Sequence, residues 1–141
     1  MTEFTVKENS LTASEFISLF QAVNWTPPCA EQAETALANS LVVFSVHCGE
    51  KTAAMARVTG DGAMSFYIKD AAVCPEFQHK GLGKLLMSLI DEYVSRQLQP
   101  GWAASVELMS AVGKEDFYKK CGFRPSIAKG LGSGMIKMIR R

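Results

Sequence analysis

Gln78, Lys80, Gly81, Gly83 and Lys84 fall in one short stretch between an apolar segment ending at Val73 and an amphipathic run beginning at Leu82. A helix start exposes unpaired backbone N–H groups and the positive end of the helix dipole, so it attracts anions. Glycines there let the backbone approach a phosphate with no side chain in the way. Two glycines before a helix can also be no more than a tight connection. The flanking lysines favour the anion reading, because dipole logic alone would place acidic residues in the first turn. The segment reads as a pyrophosphate cradle.

Two common nucleotide signatures do not fit. A Walker-type loop needs Gly where Gln78 stands and Ser or Thr where Leu85 stands. The dinucleotide fingerprint needs a third glycine where Leu86 stands.

The pattern Gln78-x-x-Gly81-x-Gly83, following Ala71-Ala72-Val73 and Pro75, resembles the acetyl-CoA motif of the GNAT N-acetyltransferases. A second segment, Asp116-Phe117-Tyr118-Lys119-Lys120-Cys121-Gly122-Phe123, is similar to that family's Phe-Tyr-x-x-x-Gly-Phe. The resemblance implies acetyl-CoA as the acetyl donor, with Gln78, His79, Lys80, Gly81, Leu82, Gly83 and Lys84 around its pyrophosphate. It also implies that the backbone at Ala72 and Val73 pairs with the pantetheine arm like an added strand. An N–H there would polarise the thioester carbonyl. Tyr118 would be the general acid that returns a proton to the leaving thiolate, a task suited to a phenol protonated at pH 7. Its alternative is a packed aromatic beside Phe117. On a short helix those two neighbours are expected to diverge, which would leave one for the site.

The general base is less defined. Asp70, on the strand that feeds the site, is the first candidate; Glu107, His47 and His79 are others. Trp25 is a candidate wall for the acceptor, or else a hinge residue packed on the first helix. The acceptor is expected to be a primary amine on a small molecule, attacking directly in a ternary complex. A peptide or protein acceptor, and a non-catalytic acyl-CoA-binding or regulatory module, are the alternatives.

Composition agrees with a compact enzyme. The chain has 141 residues, 48% hydrophobic and 21% charged, with a formal net charge of +1. A domain of that size buries roughly 68–70% of its unfolded surface, so residues 1–141 are expected to form one N-acetyltransferase domain. The near-neutral charge gives no reason to expect nucleic acid or membrane as partners, and a homodimer is left open. No secretory signal is evident, and Cys29, Cys48, Cys74 and Cys121 make no Cys-x-x-Cys pair. They are expected to be reduced and mostly buried in a cytoplasmic protein, with no metal.

The supporting elements are set by periodicity and turn residues. Helices are expected over residues 13–23, 29–38, 82–96 and 114–121, the third carrying Leu82, Leu85, Leu86, Leu89, Ile90 and Tyr93 on one face. Strands are expected over 4–8, 41–48, 52–58, 64–74 and 102–108, with a terminal hairpin from 123–128 and 134–139. The strands before and after the long helix should be parallel, joined by a right-handed crossover. The fold class is therefore α+β and GNAT-like: a mixed, mostly antiparallel sheet of six to seven strands with about four flanking helices.

Overall fold

The computed structural model describes residues 3–141. The chain divides into two compact units, Met1–Leu108 and Met109–Arg141.

The first unit holds the sheet. Its strands are β1 (Thr5–Glu8), β2 (Val42–Cys48), β3 (Lys51–Gly60), β4 (Ser65–Val73) and β5 (Ser105–Leu108), side by side in that order. The first four are antiparallel in sequence, and β5 lies parallel to β4. That parallel pair is joined through the helix Leu82–Gln97, as a crossover connection requires.

β2 is buried from Val42 to His47 and β3 from Ala53 to Ala56, so both faces of the sheet are covered there. On one face lie α1 (Ala13–Ala22) and α2 (Ala30–Ala38), where Phe16, Leu19 and Ala33 pack with Val43, Met55 and Ala72. Strands buried on both faces lose the hydrophobic–polar alternation, which is why β2 opens on the consecutive apolar residues Val42, Val43 and Phe44. The remaining long helix, α3 (Leu82–Gln97), buries Leu82, Leu86, Met87, Ile90 and Val94. Removing the buried part of one such leucine costs about 2–5 kcal/mol.

Helix α1 starts at a capping box. Thr12 Oγ1 accepts from the Glu15 N–H at 3.1 Å, and Glu15 Oε1 accepts from the Thr12 N–H at 3.0 Å. α3 is different, since no side chain caps it and its first turn has no acid.

The second unit contains α4 (Glu115–Lys120) and a short 3₁₀ turn, Ser126–Lys129. Four α-helices and a mixed sheet agree with the expected fold class, but the sheet has five strands among the described residues, not six to seven. The terminal hairpin does not form. Local hydrogen bonds take the place of the ladder: Ala128 N–H to Pro125 O at 3.0 Å, Leu131 N–H to Ser126 O at 3.1 Å, and Ser126 Oγ to Gly132 O at 2.8 Å. Gly130 turns the chain with φ of 79°, and Gly132 and Gly134 add further entropy cost to any strand there. Met135, Ile136 and Ile139 remain exposed instead of alternating in and out. β5 is also shorter than expected, because the Trp102 N–H is used in a turn with Gln99 O at 3.0 Å.

Candidate active site

The expected cradle begins where β4 ends. A 3₁₀ turn, Pro75–Phe77, comes after the strand, with Phe77 buried as its anchor. His79 and Gly81 then adopt left-handed backbone conformations, φ 64° and 81°, and Gly81 becomes the N-cap of α3. The first helical hydrogen bond runs from Leu85 N–H to Gly81 O at 3.0 Å. The N–H groups of Leu82, Gly83 and Lys84 thus belong to the first turn, which a helix cannot satisfy internally. Gln78, His79, Lys80, Gly81 and Lys84 are exposed around them, and Leu82 is buried. Two residues of left-handed backbone, an uncapped N-terminus and two lysines are features that favour an anion at such a helix start.

The strand leading into this loop is irregular at a useful place. β3 pairs with β4 through Ile68 opposite Val58 and Lys69 opposite Arg57, then again through Ala72 opposite Met55. Asp70 and Ala71 both face Ala56, so β4 carries a bulge there. Asp70 takes the left-handed conformation, φ 55°. The parallel ladder with β5 stops just before it, at Ile68 opposite Leu108, whereas the ladder with β3 runs on to Val73. Beyond the bulge, Cys74 N–H donates to Ala53 O at 2.8 Å. Alternation then makes Ala72–Met55 a bonded pair and turns the Val73 N–H and C=O away from β3. The Gln78 side-chain amide reaches that carbonyl, donating to Val73 O at 3.3 Å.

Asp70 is not a lone carboxylate. Its Oδ2 accepts from Arg57 Nε at 2.6 Å, with both side chains 15% exposed. Arg57 Nη1 donates in turn to Ser40 Oγ at 3.3 Å, and Ser40 Oγ donates to Ala36 O at 2.8 Å. Glu107 is exposed on β5, opposite Tyr67.

His47 is buried away from solvent. Its Nε2 lies 2.9 Å from Ser45 Oγ and its Nδ1 3.7 Å from Glu15 Oε2. Burial pushes the His47 pKa down, opposed in part by Glu15 and aided by Lys7. Burial alone would raise the Glu15 pKa. Hydrogen bonds from the Thr12 N–H and from the Thr52 and Thr12 hydroxyls outweigh it, with His47 adding to them, and hold the carboxyl below its usual range. Trp25 packs edge-on against Phe20 of α1, ring centroids 5.4 Å apart, and its backbone N–H donates to Phe20 O at 2.8 Å.

In the second unit, Tyr118 sits on α4 with Phe117 at 5.1 Å and Phe123 at 5.9 Å, both edge-to-face. The expected divergence of Phe117 and Tyr118 does not occur: the return of Phe123 after Gly122 supplies a third ring, and the rings cluster. Burial, then Cys121, raises the Tyr118 pKa above the phenol value. Among the described residues no disulfide forms. Cys29 is exposed, while Cys48, Cys74 and Cys121 are half-buried, so the thiols are less buried than expected.

The family model for the acetyltransferase (GNAT) domain matches residues 39–125. This chain belongs to the GNAT acetyltransferases. A relative from Pyropia yezoensis, the uncharacterised N-acetyltransferase ycf52, is 27% identical, with 89% of this chain and 76% of the relative covered. The chloroplastic GCN5-related N-acetyltransferase 1 of Arabidopsis thaliana is 34% identical over 80% of this chain; the chain spans 56% of that protein's length. A solved GNAT-family acetyltransferase of Streptococcus pneumoniae superposes with a TM-score of 0.80 at 28% identity, covering 99% of this chain and all of that one. The GNAT match spans both the Gln78–Lys84 loop and the Tyr118 helix. No helix among the described residues is long and apolar enough to cross a membrane.

Sequence reasoning missed the Asp70 bulge, its Arg57 partner and the pairing of half-buried Glu15 with buried His47. The Thr12-x-x-Glu15 capping pattern was a legible signal for part of the last. Nothing in sequence spacing links Arg57 to Asp70, because a bulge changes which residues stand opposite each other.

Proposed function

We propose that this GNAT acetyltransferase moves the acetyl group of acetyl-CoA to a primary amine, by direct attack within a ternary complex. The observation that carries the donor assignment is the break in the β4–β5 ladder after Ile68, next to an uncapped, lysine-flanked helix start. One CoA molecule has the shape to use both. Its pyrophosphate would take the N–H groups of Leu82, Gly83 and Lys84, with Lys80 and Lys84 supplying charge. Its pantetheine arm would lie along Ala72 and Val73, and the outward N–H and C=O of Val73 suit pairing with an amide chain.

The chemistry asks for a held thioester, a polarised carbonyl, a neutral amine and a proton for the departing thiolate. A backbone N–H beyond the bulge would polarise the carbonyl. Tyr118 would donate to the thiolate, and its raised pKa keeps the phenol in the donating form. Asp70 would draw the proton from the incoming ammonium. Oδ2 is engaged by Arg57, so Oδ1 is the oxygen for that task. Trp25 would offer an apolar wall, and a small-molecule amine is the acceptor we favour over a peptide. Four cysteines without a disulfide suit a reducing compartment such as the cytoplasm.

The test is thiol release from acetyl-CoA in the presence of polyamines, arylalkylamines, aminosugars and peptides. Turnover with a small amine supports the proposal. Turnover with peptides alone would move the acceptor class, and binding without release would leave an acyl-CoA-binding module.

A further inference from the structure

The Arg57–Asp70 pair stands where the sheet stops being regular. A non-glycine residue in the left-handed region persists only when its surroundings hold it there, at a cost of about 1–3 kcal/mol. Asp tolerates that conformation better than most residues, but it has no glycine's freedom. Around Asp70 the restraint is visible. Arg57 Nε grips Oδ2 at 2.6 Å, and Arg57 Nη1 is fixed to Ser40 Oγ at 3.3 Å, which is itself tied to Ala36 O at the end of α2. Arg57 lies on β3 opposite Lys69, immediately before the bulge. The guanidinium therefore links α2, β3 and the one irregular residue of β4.

The bulge sets the pairing of the last residues of β4. Without the extra residue, the register beyond Ala56 would shift by one, and every backbone group from Ala72 to Cys74 would reverse its direction. The Val73 N–H and C=O would then point into β3 and not away from it.

We infer that Arg57 is a positioning residue: through Asp70 it holds the β4 bulge and so keeps the Val73 backbone aimed at the donor's arm. The last step rests on the acetyl-CoA reading proposed above; the hold on the bulge does not.

Arg57→Met and Arg57→Lys, each alone and with Asp70→Gly, test this. Glycine enters the left-handed region freely and leaves no unpaired carboxylate, so it should stand in for the missing grip. Two probes separate the arm from the phosphates: acetyl-CoA, and 3′-phospho-ADP, which lacks pantetheine. Arg57→Met should weaken acetyl-CoA binding about tenfold while leaving 3′-phospho-ADP within about twofold. It should also speed amide exchange at Ala72 relative to Val46. Asp70→Gly in that background should restore both. If Arg57→Met does not fold, Arg57→Lys carries the same comparison at smaller amplitude. Equal loss of both probes, or unchanged acetyl-CoA affinity with unchanged Ala72 exchange, would overturn the inference. A native protein that binds neither probe sinks the donor reading instead, and Ala72 exchange with its rescue by glycine then decides the role of Arg57 alone.

Discussion

The Gln78 side-chain amide donates to the Val73 carbonyl at 3.3 Å, which ties the loop before α3 back to the strand that precedes it. Gln78 is exposed, so the bond adds little to folding; a typical net contribution is about 1 kcal/mol. Its effect on the site is larger in principle, because it fixes the loop's approach to β4. Gln78→Ala should raise the KM for acetyl-CoA about tenfold, with kcat within about twofold and Tm nearly unchanged. A large fall in Tm with proportionate loss of activity would mark Gln78 as structural.

Gly81 is tested by its conformation. Its φ of 81° suits glycine, yet an added Cβ would meet no atom within 4 Å. Gly81→Ala should therefore lose only about 1 kcal/mol of stability, the backbone term. Gly81→Asn should lose less, since Asn tolerates the left-handed region. Both should weaken acetyl-CoA binding, because either side chain stands where a phosphate would approach. Native affinity in the stable Asn variant would remove Gly81 from the cradle.

Tyr118→Phe keeps the aromatic cluster with Phe117 and Phe123 and deletes only the hydroxyl. As the general acid, Tyr118 should account for at least about 10²-fold in kcat, with acetyl-CoA affinity within about twofold. Burial raises its pKa, so the phenol stays protonated to a higher pH than a free tyrosine. Its alkaline limb in the kcat profile should therefore lie above pH ~10. Equal losses in kcat and affinity would assign Tyr118 to packing.

How far the sequence could be read depended on how local each signal was. α3 was legible because Leu82, Leu86 and Ile90 recur at helical spacing and are buried as a face. The parallel placement of β4 and β5 followed from the helix between them. The terminal hairpin failed because Met135, Ile136 and Ile139 have strand-like types but no partner chosen by any local rule. Glycines and Ser126 offered competing bonds within reach. Gly81 and Gly83 marked the start of α3, where Gly81 becomes the N-cap. The bulge at Asp70 gave no such signal, since it is a property of two paired strands and of Arg57 on the neighbouring one. The clustering of Phe117 with Tyr118 was hidden for a similar reason: Phe123 makes the third ring only after the chain turns at Gly122.

The pair of buried His47 and half-buried Glu15 makes stability depend on pH in a defined direction. His47 has its folded pKa below the unfolded value, so the unfolded chain binds its proton first as pH falls. Stability should be flat above about pH 6.5 and decline below it, down to the folded pKa. Glu15 also has a depressed folded pKa, so its stabilisation is present above its unfolded value and is lost as pH falls further. Both effects run the same way, with His47 titrating first. The urea midpoint should start to drop as pH falls below about 6.5, and His47→Gln should flatten that drop while sparing the later decline below about pH 4.5. The variant keeps a hydrogen-bonding group near Ser45 Oγ, which lies 2.9 Å from His47 Nε2 in the native protein. A midpoint that falls just as steeply in His47→Gln would show that another group controls the acid side.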